Sequence, residues 1–120
     1  MRFIRSIATL VLAGTLLVSA SGCSSEKVDA TTATAIIDVR TPAEFASGHL
    51  QGAVNFDIEG GNFASQVAAL DKNGTYLLYC HSGRRAGIAL EQMLGMGFTK
   101  VTNLGGLEDA AAVTSLAIVQ

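Results

Sequence analysis

The sequence predicts an α/β fold in which a parallel β-sheet is covered by helices on both faces. Short apolar segments alternate with segments of helical periodicity, as expected for parallel strands that are joined by crossover helices. The 120 residues are 49% hydrophobic and 15% charged and include one proline. This composition excludes disordered and collagen-like chains, and the length suits a single domain.

Four short apolar segments are predicted to be strands, and helices are predicted between and after them. The predicted strands cover residues 35–39, 53–56, 75–79 and 101–104. The predicted helices begin at a Thr41-Pro42-Ala43-Glu44 capping box, near Phe63, about five residues after Cys80, and after Gly106. In that capping box the Glu44 side chain is expected to fold back onto the start of its helix.

The first 22 residues have the pattern of an export signal. Arg2 and Arg5 precede an apolar run at residues 7–18, which is shorter than the roughly 20 residues that span a bilayer. The sequence ASGC at residues 20–23 resembles a bacterial lipobox, which implies cleavage before Cys23 and acylation of its thiol. We therefore expect an exported protein that is lipid-anchored at the cell membrane or outer membrane and faces the periplasm or the cell exterior. An ordinary secretory signal that leaves Cys23 free is the alternative.

The predicted organisation is a signal peptide at 1–22, a tether at 23–34, one domain at 35–110 and a C-terminal tail at 111–120. Without the signal peptide the chain keeps six basic and ten acidic residues, a net charge of −4. The chain is acidic and its only adjacent basic residues are Arg84 and Arg85, so nucleic-acid binding is not expected. An acidic surface is also not attracted to an anionic membrane, so the lipid would have to anchor the protein. Two cysteines and two histidines are too few for a structural zinc site, so no metal is expected.

The candidate active site is the segment at the end of the strand at 75–79. Its residues are Cys80, His81, Ser82, Gly83, Arg84 and Arg85. Ligands of open α/β sheets bind at the carboxyl ends of the strands, where a loop directs successive backbone N–H groups inward. The start of the next helix and the two arginines add positive charge, which favours the thiolate of Cys80 and suits a bound anion or a sulfur atom on the cysteine. A buried, inert cysteine at a strand end is the alternative.

Two motifs resemble those of rhodanese-like domains. The loop matches the pattern Cys-x-x-Gly-x-Arg at Cys80, Gly83 and Arg85. The upstream residues that agree with the family signature are 38–45 (DVRTPAEF), 48–50 (GHL), 52–53 (GA) and Asn55. The resemblance implies a five-stranded parallel sheet flanked by helices. Few residues precede the strand at 35–39, so the N-terminal part of the fold is expected to be shortened.

The same resemblance implies a sulfurtransferase that needs no cofactor. Cys80 would be the catalytic residue, accepting a sulfane sulfur from thiosulfate or a similar small anion as a persulfide. It would then pass the sulfur to a thiophilic acceptor, such as a thiol or a protein. His81 to Arg85 are the candidate substrate-binding residues, and Asp38 and Arg40 are candidate supporting residues.

Two other functions are compatible with a cysteine loop. One is a non-catalytic persulfide-binding or interaction module at the cell envelope, which the shortened N-terminal part would suit. The other is a cysteine phosphatase or arsenate reductase, whose loop reads Cys-x5-Arg. Here the position six residues after Cys80 is Ala86, so the loop is one residue shorter and better suited to a sulfur atom than to a phosphate group.

Overall fold

The computed structural model describes residues 26–120. The predicted signal peptide and the predicted lipidation site Cys23 lie outside these residues. Within residues 26–120, no helix combines the length and the apolar character that crossing a membrane requires.

Four helices and six strands follow a short 3-10 turn at Ala30–Thr32. The strands are β1 (Ala35–Asp38), β2 (His49–Leu50), β3 (Val54–Asn55), β4 (Thr75–Cys80), β5 (Lys100–Gly106) and β6 (Ile118–Val119). The helices are α1 (Pro42–Ser47), α2 (Phe63–Ala68), α3 (Arg84–Gly95) and α4 (Leu107–Thr114). All four predicted strands and all four predicted helices are therefore present, with small differences in their bounds.

The four predicted strands form one parallel sheet in the order β3-β1-β4-β5. The five-stranded sheet implied by the resemblance was wrong for residues 26–120, because the segment before β1 does not add a strand. Instead, the Asp29 side chain accepts a hydrogen bond from the backbone N–H of Thr31 and caps the 3-10 turn. The shortened N-terminal part is thus a tight turn at this point of the chain.

The last residues of the chain pack onto the domain. Helix α4 continues to Thr114, and β6 pairs antiparallel with β2 in a separate two-stranded sheet. The backbone N–H of Gln51 donates to the carbonyl of Ala117 at 2.9 Å next to this pair. The division into a domain at 35–110 and a tail at 111–120 stays a prediction, and the structure shows residues on both sides of that boundary in contact.

Side chains of β1 and β4 alternate between two cores on opposite faces of the sheet, so the prediction of helices on both faces is confirmed. The core beneath α2 and α3 contains Ile37, Val39, Phe63, Val67, Tyr76, Leu78, Cys80, Ala86, Ala89, Met93 and Phe98. The core on the α4 side contains Ile36, Leu50, Leu77, Tyr79, Leu104 and Ala110. Each large apolar side chain buried in these cores contributes roughly 1.5–3 kcal/mol to folding. The alternation also directs the Cys80 side chain toward α3 and that of Tyr79 toward α4.

Candidate active site

Cys80 is the last residue of β4 and the only cysteine among residues 26–120. Its side chain is 1% exposed and belongs to the core beneath α3. The backbone N–H of Gly83 donates a hydrogen bond to its Sγ at 2.9 Å. A hydrogen bond of this kind stabilises negative charge on sulfur, so the loop is suited to a thiolate or to a sulfur anion that the cysteine carries.

The conformation of the loop depends on Gly83, which precedes α3 as its N-cap. Its φ is +93°, in the left-handed region that favours glycine. A Cβ at this position would lie 3.2 Å from the Cα of Gly105 in β5. The loop and β5 are thus in direct backbone contact, which the Cys-x-x-Gly pattern by itself does not reveal.

Asn103 in β5 holds the loop from the side of the sheet. Its Nδ2 donates to the carbonyl of Gly83 at 3.0 Å, and its Oδ1 accepts from the backbone N–H of Gly105 at 2.8 Å. The sequence interpretation missed this residue. The available signal was an asparagine inside a predicted strand, where that residue type is uncommon.

The two arginines of the loop have different surroundings. Arg84 is exposed and forms no salt bridge with any residue between 26 and 120. The guanidinium of Arg85 donates to both carboxylate oxygens of Glu44 in α1, at 2.7 and 2.9 Å. Arg84 is therefore available to attract an anion, whereas the charge of Arg85 is neutralised within the protein.

The ion pair between Arg85 and Glu44 shifts the ionisation of both groups. The hydrogen bonds from Arg85 lower the pKa of Glu44 to about 2, and burial opposes this shift only in part. The hydrogen bonds to Glu44 also raise the pKa of Arg85. Glu44 still accepts a hydrogen bond from the Thr41 hydroxyl at 3.2 Å, but its principal partner is the arginine, which the predicted capping box did not include.

The remaining loop side chains, His81 and Ser82, are exposed. His81 borders an open groove of about 320 Å³ together with Gly106 and the first turn of α4. This turn carries Glu108 and Asp109, so the groove has acidic walls. Among residues 26–120, no three His, Cys, Asp or Glu side chains come together in a group that could hold a metal ion.

Asp38 and Arg40 lie on the other face of the sheet from Cys80. Asp38 is opposite Tyr79 in the register of β1 and β4, and the Arg40 guanidinium lies 5.7 Å from the centre of the Tyr79 ring. Both charged side chains are buried and form an ion pair at 2.6 Å. Burial disfavours the charged guanidinium, but the hydrogen bonds and charge of Asp38 prevail and raise the pKa of Arg40.

The contacts of this buried pair are with the fold around it. Arg40 Nη2 donates to the carbonyl of Gly48 at 2.6 Å, at the end of α1. The Asn55 side chain donates to the carbonyls of Asp38 and Arg40 at 3.1 and 2.8 Å. The pair therefore joins β1, α1 and β3, while the supporting role of these residues in catalysis stays a prediction.

The fold and the site together define a class of α/β protein in which a cysteine ends a parallel strand and accepts a backbone N–H hydrogen bond from the loop that follows it. The chain belongs to the Rhodanese-like domain family, whose sequence model matches residues 24–112. The family and the α/β fold class predicted from the sequence are confirmed.

Similar proteins and solved structures agree with this assignment. The chain is 43% identical over 75 residues to thiosulfate sulfurtransferase PspE of Escherichia coli, covering 62% of this chain and 72% of PspE. It is similar to the solved structure of a rhodanese with anions from E. coli, with a TM-score of 0.59 and 38% identity over 72% of this chain and 96% of that one. It is also 34% identical over 79 residues to the putative sulfur carrier protein YrkF of Bacillus subtilis, covering 66% of this chain and 42% of YrkF.

Proposed function

We propose that this protein is a sulfurtransferase that carries a sulfane sulfur as a persulfide on Cys80. The observation that carries the proposal is the 2.9 Å hydrogen bond from the backbone N–H of Gly83 to Cys80 Sγ. A backbone donor that is already oriented toward the sulfur stabilises its negative charge without reorganisation during the reaction. The similarity to proteins named thiosulfate sulfurtransferase supports the same activity here.

The proposed reaction has two steps. The Cys80 thiolate attacks the outer sulfur of thiosulfate, a new S–S bond forms, and sulfite leaves with the electron pair of the broken bond. A thiophilic acceptor, such as cyanide or a thiolate, then attacks the outer sulfur of the persulfide and regenerates the Cys80 thiolate. Both steps move one sulfur atom and one electron pair, so neither requires a metal or a redox cofactor.

The loop residues have separate roles in this proposal. Arg84 is exposed and attracts the anionic donor. The backbone N–H of Gly83 donates to the sulfur of Cys80. The side chains of His81 and Ser82 are exposed beside the loop, where they can contact the donor or the acceptor. Because Cys80 is 1% exposed, a narrow donor atom such as a terminal sulfur suits it better than a bulky group.

The geometry favours sulfur over a phosphate ester. A cysteine phosphatase uses an arginine of its loop to hold the phosphate oxygens. Here Arg85 is bound by Glu44, and the next residue, Ala86, is fully buried in the core. A phosphate group at Cys80 would thus lack a side-chain partner in the position that phosphatase chemistry requires.

Mass spectrometry of the intact protein tests the proposal directly. Treatment with thiosulfate should increase the mass by one sulfur atom, and later addition of cyanide should remove it. Cys80→Ser should gain no sulfur under the same conditions. If folded wild-type protein gains no sulfur from thiosulfate or other sulfane donors, the sulfurtransferase proposal fails and a non-catalytic binding module takes its place.

We also propose that the protein is exported and anchored to a membrane by lipid on Cys23. This rests on the signal-like residues 1–22 and the lipobox-like sequence before Cys23. Protein extracted from membranes should lack residues 1–22 and carry additional acyl mass, and Cys23→Ala should leave the membrane fraction. A processed but unacylated protein with a free Cys23 would support an ordinary secretory signal instead.

A further inference from the structure

The ion pair between Glu44 and Arg85 joins the two sequence motifs of the protein. The two residues are 41 positions apart, yet Nη1 and Nη2 of Arg85 each donate to one carboxylate oxygen of Glu44. The side chains are 34% and 19% exposed, so the pair is partly shielded from water. A paired, charge-assisted contact of this geometry fixes the direction of the guanidinium as well as its distance.

Glu44 is presented by a helix that is held at both ends. At the start of α1, the backbone N–H of Glu44 donates to the Thr41 hydroxyl at 3.3 Å. At the end of α1, the buried Arg40 donates to the carbonyl of Gly48 at 2.6 Å. The backbone position of Glu44 is therefore set by the fold, and its carboxylate is held by the Thr41 hydroxyl and by Arg85.

Arg85 occupies the first turn of α3, immediately after the loop. Its position is two residues after Gly83, whose N–H donates to Cys80 Sγ. On the other side of the loop, Asn103 donates to the Gly83 carbonyl at 3.0 Å. The loop is thus held between α1 and β5, and loss of either contact would free one side of it.

We propose that Glu44 is a positioning residue for the sulfur chemistry at Cys80. By holding Arg85, it fixes the start of α3 and with it the direction of the Gly83 backbone N–H that donates to the sulfur. This inference rests on the proposed sulfurtransferase function, and it assigns to the upstream motif a role in the reaction beyond capping α1. Glu44 itself acts through Arg85 and does not touch the sulfur.

An experiment that does not depend on activity tests the structural part. Backbone amide chemical shifts and hydrogen exchange of residues 81–85 should be compared in wild type, Glu44→Gln and Glu91→Gln. Glu91 is exposed on α3 and forms no salt bridge with residues 26–120, so it controls for loss of one negative charge. We expect faster exchange and shifted resonances at 81–85 in Glu44→Gln alone. A loop in Glu44→Gln that is indistinguishable from that of wild type would overturn the proposal.

Steady-state kinetics with thiosulfate and cyanide test the catalytic part. In Glu44→Gln we expect kcat to fall about tenfold, as for loss of a charged hydrogen-bond partner, while KM for thiosulfate changes little. Arg85→Lys should have a similar effect, and the double variant should be no worse than the more impaired single variant, because both act through one contact. Additive effects, or a change in KM alone, would show that Glu44 does not act through Arg85.

The two proposals fail in different ways. If wild-type protein acquires no sulfur, the sulfurtransferase function fails, whatever Glu44 does to the loop. If wild type is active and Glu44→Gln has the same kcat, the function stands and the positioning role is wrong. A folded Glu44→Gln with disturbed loop amides and reduced kcat would support both.

Discussion

Gly106 in β5 packs so closely against the backbone of His81 that a side chain at position 106 would overlap the His81 carbonyl oxygen. Gly106 is also opposite Cys80 in the register of β4 and β5. The absence of a side chain at the end of β5 thus allows the loop after Cys80 to turn beside the sheet. The conformation of the loop after Cys80 therefore depends on the residue at position 106 of the neighbouring strand.

We therefore expect Gly106→Ala to displace the loop and to lower the free energy of unfolding by roughly 1–3 kcal/mol, as for other overpacked sites. Urea unfolding measures the change. Gly95→Ala is the matched control, because the Cβ it would add at the end of α3 has no neighbour within 4 Å beyond the adjacent residues and backbone of its own helix. This control should be neutral or slightly stabilising. Equal stability of both variants and wild type would contradict the expectation.

The ion pair of Glu44 predicts a specific dependence of stability on pH. Hydrogen bonds from Arg85 lower the pKa of Glu44 from 4.5 to about 2 in the folded protein. The pair should therefore stabilise the fold fully above the unfolded-state pKa, and this contribution should disappear as the pH falls from 4.5 toward 2. Since about a third of the Glu44 side chain is exposed, the full effect should be about 1 kcal/mol.

The difference in unfolding free energy between wild type and Glu44→Gln, measured by urea unfolding at several pH values, checks this sign. The difference should be largest near neutral pH and should shrink in acid. A difference that stays constant down to the acid limit would mean that the carboxylate charge contributes nothing. Glu91→Gln should show no comparable dependence, since Glu91 is exposed on α3.

The buried pair of Asp38 and Arg40 should be important for stability. Asp38→Asn leaves the Arg40 guanidinium buried without its carboxylate, which typically costs about 3–5 kcal/mol. Replacing both residues, with Asp38→Leu and Arg40→Met, should cost less than Asp38→Asn alone, because no charge then remains buried. Thermal and urea unfolding of the three proteins test this order. A double variant less stable than Asp38→Asn would contradict it.

Arg84 should govern capture of an anionic donor. Arg84→Ala should raise KM for thiosulfate several-fold at low ionic strength, with a smaller change in kcat. The difference should shrink as salt is added, because exposed charges are screened over about 10 Å at 0.1 M ionic strength. Lys100→Ala removes another exposed positive charge, at the start of β5 and at the other end of the strand from the loop, and should leave KM unchanged. Equal effects of the two substitutions on KM would mean that the overall electrostatic field of the protein attracts thiosulfate and that Arg84 has no specific role.

The regular elements near the site could be predicted because their signals are local. The strand at 75–79, the proline after Thr41 and the apolar positions of α3 each specify structure within a few residues. By contrast, β2 and β6 have two residues each and arise only from their pairing across the C-terminal part of the chain. β3 is equally short but lies within the predicted strand at 53–56, whereas β2 and β6 were not predicted because each depends on a partner far away in the chain.

The sequence by itself determined the α/β class, the order of the strands along the chain and the cysteine loop between Cys80 and Arg85. These depend on periodicity, capping and turn residues, which act over short distances along the chain. Only the tertiary structure decided that Arg85 binds Glu44, that Asn103 holds Gly83, and that Asp38 lies across the sheet from Cys80. The reason is that such contacts depend on which residues of neighbouring strands are paired and on which face of the sheet each side chain occupies. A shift of one residue in register would move every side chain of the strand to the opposite face.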